Sequence, residues 1–341
     1  MKSILVTGDR GYIGSVLCEK LLQKGYKVTG IDTGFFEKNL VFPQKIKYKK
    51  ITKDVRKINA NDLTGIDAII HLSALSNDPI GELNPKLTQE INHEATIRLA
   101  RLAKKAGVGR FIFSSSCSIY GISKSGIVDE KTKPNPLTEY ARSKIRSEKE
   151  LGQLADKNFF VGLMRNSTVY GFSPRFRDDL VVNNLTSSAL SYGELRIMSD
   201  GSPWRPLIDV SDLADIFIEF LNTQNEKLNG KVVNIGFSEN NFRVKDLVNV
   251  ISKNLPKCKI VYTGEHGKDS RSYRVKFNLF KKNFPHVRQK WTIDRSVKNI
   301  IKNLKKSNYK SAVFESGKYT RLSTLKKLLE NKKINKNLYW I

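Results

Sequence analysis

A tyrosine and a lysine four residues apart, Tyr140 and Lys144 in the segment YARSK, form the spacing in this 341-residue chain that most directly suggests chemistry. On a helix, side chains four apart share one face. An ammonium held beside a phenol favours the phenolate and lowers a pKa that is otherwise about 10. A tyrosine tuned in that way takes up or releases a hydroxyl proton at neutral pH. Upstream lies the run Ser114-Ser115-Ser116-Cys117-Ser118, directly after the apolar segment RFIF (Arg110 to Phe113), which reads as a strand. Ligands of open α/β sheets bind at the carboxyl ends of strands, so a hydroxyl-rich cluster there stands where a site is expected.

A second constellation opens the chain. Ile4, Leu5 and Val6 form a short apolar strand, and Gly8, Gly11 and Gly14 follow at three-residue intervals. Ile13, Val16, Leu17, Leu21 and Leu22 then recur at helical spacing, and the strand-like Lys27 to Ile31 ends in Asp32. Gly8 allows a tight turn, Gly11 lets the backbone approach a pyrophosphate, and Gly14 lets the helix pack closely on the sheet. The free N–H groups of the first helical turn, at Tyr12 and Ile13, are ready to meet phosphate oxygens. A carboxylate closing the second strand accepts hydrogen bonds from the ribose hydroxyls of an adenosine and repels a 2′-phosphate, so Asp32 points to NAD rather than NADP.

The spacing G-x-x-G-x-x-G differs from the commoner G-x-G-x-x-G, and with YARSK downstream it resembles the extended short-chain dehydrogenase/reductase superfamily, the NAD-dependent epimerases and dehydratases of nucleotide sugars. The resemblance covers nearly the whole chain. It implies that Asp54-Val55 lies at the adenine ring and that Leu72, Ser73 and Ala74 in HLSALS pass beneath the cofactor, with Ser76 of the same turn facing substrate. It gives Asn92 a bracing role beside the cofactor, Ser114 a place in the cofactor site, and Ser116 the part of the serine that hydrogen-bonds the reacting oxygen. In the dehydratases of that family an acid pair follows this serine; here the two positions are Cys117 and Ser118, neither a base for a carbon acid, and Cys117 reads as a small buried residue. What remains is oxidation and reduction at one carbinol, expected at C4 of the sugar. In the substrate half the resemblance assigns Asn184, Arg205 and Arg271 to the nucleotide diphosphate, while Asp209 stands where relatives carry histidine.

Strands alternate with helices along the chain, which specifies an α/β fold with a doubly wound parallel sheet (Rossmann) and a smaller mixed α/β substrate-binding domain. Residues 1–169 with about 206–236 are expected to hold NAD, and 170–205 with 237–341 the nucleotide sugar. A helix is expected over about Lys86 to Ala106, a second from Tyr140 to about Ala155, and a third N-capped by Ser211. The three cysteines and four histidines are scattered, so no metal is expected. No apolar run of about 18 residues exists, and the first strand begins directly after Met1-Lys2; a cytoplasmic protein without membrane contact is expected.

The net charge of +27 raises the rival reading of a Rossmann-fold nucleic-acid-binding protein. From Lys276 onward 18 basic residues face three acids, but they alternate with Ile300, Ile301, Leu304, Leu322, Leu325, Leu328 and Leu329 as on solvated faces of amphipathic helices. Aromatic stacking platforms are not interleaved with them, which speaks against nucleic acid. The enzyme alternatives are a nucleotide-sugar 4-dehydrogenase and a 4-ketosugar reductase. Relatives pair through the helices bearing Tyr140 and residues 86–106, so the resemblance also implies a homodimer.

Overall fold

The computed structural model describes residues 2–44, 46–197, 200–262 and 272–341. Fourteen strands are found among the described residues: β1 (Ser3–Thr7), β2 (Lys27–Asp32), β3 (Lys49–Thr52), β4 (Ala68–His71), β5 (Arg110–Ser116), β6 (Ile122–Val128), β7 (Phe160–Asn166), β8 (Thr168–Tyr170), β9 (Glu194–Ile197), β10 (Trp204–Asp209), β11 (Val232–Ile235), β12 (Asn241–Arg243), β13 (Lys259–Tyr262) and β14 (Ser272–Val275). Seven of them form one parallel sheet in the order β11-β7-β5-β4-β1-β2-β3. Ile4, Leu5 and Val6 are fully buried, as a strand covered on both faces requires.

The order reverses between β1 and β4, whose last residues Thr7 and His71 are register partners. The crevice at that switch point is where a doubly wound sheet binds its ligand. One face of the sheet is covered by helices Tyr12–Gln23 and Val210–Asn222, which bury Leu17, Leu21, Phe217 and Phe220. The other is covered by Ala95–Lys105 and Glu139–Leu154, which bury Leu99, Ala103 and Leu151. The three-stranded set β12-β10-β8, the pairs β13-β9 and β14-β6, and helices Val181–Tyr192, Val244–Asn254 and Ile293–Lys306 build the smaller lobe. Helix Ile293–Lys306 buries Val297, Ile300 and Leu304 and turns its lysines outward, the amphipathic pattern expected of the basic region.

Two local features differ from the sequence reading. The helix after β10 is capped by Asp209, whose Oδ1 accepts from Ser211 N at 2.7 Å, because the carboxylate that closes the strand already reaches the first turn. The helix expected over residues 86–106 forms as Pro85–Gln89, a π-turn Glu90–Glu94 and Ala95–Lys105, so one extra residue is accommodated around Asn92.

The chain also returns to where it started. Helix Arg321–Glu330 and the segment after it leave the smaller lobe, and Leu325, Ile334 and Leu338 join the core that contains Leu5, Ile31 and Ile69. Leu325 is 1% exposed. Leu325→Ala is expected to destabilise the protein by about 2–5 kcal/mol, the range for emptying a buried leucine site, read as a lowered urea midpoint. A midpoint within error of the parent would mean that this helix is not part of the core.

Candidate active site

The glycine turn is built by contacts that leave no room for side chains. Gly8 has φ +75°, and a Cβ there would lie 3.0 Å from Ser73 N; a Cβ on Gly14 would meet the Gly8 carbonyl at 2.1 Å. Gly11 caps the 12-residue helix Tyr12–Gln23 from an extended conformation with no side-chain cap, which leaves first-turn N–H groups for an anion. The Tyr12 hydroxyl donates to Gly171 O at 2.7 Å, so its side chain ties the turn to the smaller lobe and only its backbone remains for phosphate. Ile13 packs against the core beneath the helix.

At the end of β2, Asp32 Oδ1 accepts from Gly34 N at 2.7 Å. Burial pushes its carboxyl up, against the pull of that N–H and of Arg10. Arg10, inside the glycine loop, donates to Asp32 O at 2.6 Å and Thr52 Oγ1 at 3.0 Å and pairs with Glu37 at 3.2 Å. Asp9 beside it is fully buried, accepts from the Tyr48 hydroxyl at 2.9 Å, and is raised to about 6 by burial and by Asp32. Asp54 caps the short 3-10 turn Val55–Lys57 and is gripped in bidentate fashion by Arg56 at 2.9 and 2.7 Å, while Val55 enters the core. A half-buried acid with hydrogen-bond capacity to spare, beside a helix N-terminus cradled by glycines, fits the ribose and diphosphate of a dinucleotide.

Between β1 and β4 a hydrogen-bond chain holds the crevice. Thr96 Oγ1 donates to Asn92 O at 2.9 Å, so the same oxygen accepts from His71 Nε2 at 2.8 Å. His71 Nδ1 then accepts from Thr7 Oγ1 at 2.7 Å. Burial drives His71 down to about 3, which keeps the ring neutral in this tautomer. Asn92 is itself buried: its Oδ1 accepts from Leu75 N at 2.8 Å, and its Nδ2 reaches Leu75 O at 3.2 Å and Ser143 Oγ at 3.4 Å. Residues 72–76 are thereby fixed against the helix that carries Tyr140 and Lys144. Leu72 and Ser73 are bonded to Thr7, and Ala74 lies half-buried between Ser73 and Leu75.

That helix, Glu139–Leu154, is capped by Thr138, whose Oγ1 accepts from Ala141 N at 3.2 Å and donates to Asp78 at 2.5 Å. Lys144 is 3% exposed, and its Nζ donates to Ser114 O at 2.7 Å, 4.6 Å from the Phe113 ring centre and 5.7 Å from that of Tyr140. The structure therefore brings together Tyr140, Lys144 and the end of β5, where Ser116 Oγ accepts from Ser118 N at 3.1 Å. Burial lowers Lys144 to about 7, partly offset by Glu148. Cys117 is buried, its Sγ donates to Arg165 O at 3.1 Å, and burial pushes its thiol well up. The Ser118 hydroxyl is buried with no partner among the described residues. Asn166 donates to Ser114 Oγ at 3.0 Å and adds a buried amide that sequence reasoning had not assigned.

The expected substrate residues come from several separate segments of the chain. Ser76 accepts from Arg177 Nη1 through both its carbonyl and its hydroxyl at 3.3 Å. Asn184 donates to Asp178 O at 2.8 Å, whereas its neighbour Asn183 is fully buried and reaches Tyr12, Gly171 and Arg177. Arg205 on β10 is half-buried and donates to Trp204 O at 2.9 Å. Asp209 is a helix cap bonded to Ser296, and burial raises it to about 7. Arg271 lies outside the described residues. The sequence reading missed Arg177, which is 6% exposed, paired with Asp179 at 2.9 Å, and within electrostatic reach of Tyr140. Its signal was the charged run RFRDD after a proline, which cannot be ranked without knowing where the loop folds. Among the described residues no group of acids, histidines and cysteines could hold a metal, and no helix is long and apolar enough to cross a membrane.

A parallel sheet with a glycine turn at its switch point and a Tyr–Lys helix at the next strand defines an NAD-dependent enzyme of the extended short-chain dehydrogenase/reductase type. The chain belongs to the NAD dependent epimerase/dehydratase family, whose model matches residues 4–236. It is similar to an uncharacterized UDP-glucose epimerase of Bacillus subtilis, 34% identical over 255 residues that cover 69% of this chain and 77% of the relative. Its fold resembles an NAD-dependent NDP-hexosamine 5,6-dehydratase involved in tunicamycin biosynthesis, with TM-score 0.80, 23% identity, and 90% and 98% of the two chains covered. It also resembles the UDP-glucuronic acid 4-epimerase of Bacillus cereus bound to UDP-glucuronic acid and NAD, with TM-score 0.77, 23% identity, and 89% and 99% covered.

Lys144 gives the site a pH signature. Its pKa is about 7 in the folded chain against 10.5 ordinarily, so between those values the unfolded chain holds a proton that the folded chain lacks, and stability rises with pH. Relative to Lys144→Met, the NAD-free parent is expected to gain urea resistance from pH 7 to pH 10. A pH-independent difference between the two would mean that the lysine is not desolvated.

Proposed function

We propose that the chain interconverts the C4 epimers of a nucleotide diphosphate hexose. The observation that carries this reading is the pairing of an assembled Tyr140–Lys144 helix with the uncharged Cys117 and Ser118 next to Ser116. Proton abstraction from a carbon acid or protonation of a leaving hydroxyl calls for an acid or base at those positions. A thiol buried and donating to a backbone carbonyl supplies neither. The chemistry is thereby confined to one carbinol.

Tyr140 moves the proton of the sugar hydroxyl, Ser116 holds the same oxygen by a hydrogen bond, and Lys144 sets the charge beside the phenol. The Gly8, Gly11 and Gly14 turn, Asp32 and Asp54 hold the cofactor, with Leu72, Ser73, Ala74 and Ser114 along its course and Asn92 bracing them. Bound there, NAD would supply the redox chemistry, as acceptor of hydride from the carbinol carbon and donor of it to the other face of the ketone, which inverts that carbon. Arg205 and Asn184 are assigned to the diphosphate, and Ser76 to the sugar. Uridine as the base is supported by the relatives, which are named as UDP-glucose epimerases.

The test is incubation with UDP-glucose followed by NMR. UDP-galactose is expected to accumulate without free NADH, whereas NADH release in step with substrate loss would make the enzyme a dehydrogenase. Tyr140→Phe is expected to cut turnover by about 10²–10⁴-fold while keeping NAD bound, the range for losing a positioned acid–base group. Arg205→Ala is expected to raise KM more than it lowers kcat, and an unchanged KM would remove Arg205 from the diphosphate site.

A further inference from the structure

Residues 334–341 fold into a small hairpin that spans the loops following β2, β3 and β4. Ile334 and Trp340 pair as an isolated antiparallel bridge, and Asn335 N donates to Tyr339 O at 2.8 Å. Directly after β2, Thr33 O accepts from Trp340 Nε1 at 2.7 Å, and the Trp340 and Phe35 ring centres are 5.4 Å apart. After β3, Tyr339 covers Arg56, whose guanidinium carbon lies 3.9 Å from the ring centre and whose Nη2 donates to Asn337 O at 2.9 Å. Arg56 in turn holds both oxygens of Asp54 and, at 3.0 Å, Glu90 Oε1. After β4, Leu75 lines a cavity of about 210 Å³ together with Leu87, Lys336 and Leu338. The helix that leads into the hairpin fastens the first of these loops again: Arg321 lies 4.3 Å from the Phe36 ring centre, and Asn39 Nδ2 donates to Thr324 Oγ1 at 2.9 Å.

Core packing accounts for Leu338, which is 3% exposed, but not for its two neighbours. Trp340 is 48% exposed and Tyr339 half-buried, so neither ring fills the core. What they join is one loop to another, the loop after Asp32 to the turn that carries Asp54. Those are the two acids assigned to the adenosine half of the cofactor, and a ligand that touches both lies in the gap the hairpin spans. We propose that residues 334–341 are a strap that closes the adenosine half of the cofactor site, so that NAD leaves only when the Trp340 and Tyr339 contacts open. This rests on the cofactor-site reading given above. The contacts are few and lie at the surface, so the strap can open without disturbing the sheet. Interconversion of epimers ends with the cofactor in the redox state in which it began, and a retained cofactor fits that chemistry.

The experiment loads the full chain, Trp340→Ala and Trp340→Phe with NAD and follows its release into an excess of isotopically labelled NAD, with UDP binding measured by calorimetry alongside. Trp340→Ala is expected to release NAD about tenfold faster than the parent, the scale of one hydrogen bond and one aromatic contact together, with UDP affinity unchanged. Trp340→Phe, which keeps a ring against Phe35 but no donor for Thr33 O, is expected to lie between. Release from Trp340→Ala at the parent's rate would overturn the proposal. An equal loss of UDP affinity would overturn it too, because it would mark a general loosening of the fold. If Trp340→Ala does not fold, Trp340→Phe decides on the same two comparisons. A parent chain that takes up no NAD would remove the cofactor-site reading as well, an outcome distinct from equal release by parent and variant.

Discussion

A lysine held out of water at the seam between helix Glu139–Leu154 and β5 is the constraint on which the site depends. Its ammonium reaches the Ser114 carbonyl only if the helix lies at one height along the strand, and that height sets Tyr140 one turn away above the crevice. Desolvation makes this an expensive place for a charge. The surroundings offset the cost with a carbonyl, an aromatic face and the carboxylate of Glu148 one turn further on. The helix is thus positioned by the group whose charge the proposed chemistry uses.

Beneath that seam lies a buried polar network that carries no chemistry of its own. Glu148 accepts from Ser115 at 2.5 Å and from Arg165 at 3.0 and 2.7 Å; Arg165 bonds the Tyr120 hydroxyl at 3.0 Å, which donates to Asn234 at 2.8 Å. Five elements are joined in this way: the helix, β5, the 3-10 turn Cys117–Tyr120, β7 and β11. Such a network is costly if any member is missing, which makes it a specifier of register. Its counterpart on the other side is the Thr7–His71–Thr96–Asn92 chain, which joins β1, β4 and the π-turn. Tyr140, Lys144 and Ser116 sit on the elements that these polar seams hold.

Much of this was legible in the sequence, for a local reason. The glycine turn and the Tyr140–Lys144 pair are defined by intervals of three and four residues, and local backbone geometry fixes what such intervals mean. The alternation of apolar strands and amphipathic helices likewise specified the doubly wound sheet. The less legible parts depend on distant segments. Of Asn183 and Asn184, the buried one is the first, and only the helix's orientation on the smaller lobe decides that. Arg56 occupies Asp54 from two residues away, a local contact that a motif match passes over. Arg321 carries no pattern at all, since its burial comes from a helix folding back across nearly the full chain.

That return also orders events in time. Trp340 Nε1 donates to Thr33 O at 2.7 Å, its ring meets that of Phe35 at a tilt with centres 5.4 Å apart, and it so pins the residue after Asp32 across a separation of 307 positions. Arg56 is held from the same side by Asn337 O at 2.9 Å and by the Tyr339 ring. During synthesis at about 5–20 residues per second, the nascent β2 loop therefore waits about 15–60 s for its last hydrogen-bond donor to leave the ribosome. The half that carries the glycine turn emerges first and is finished last.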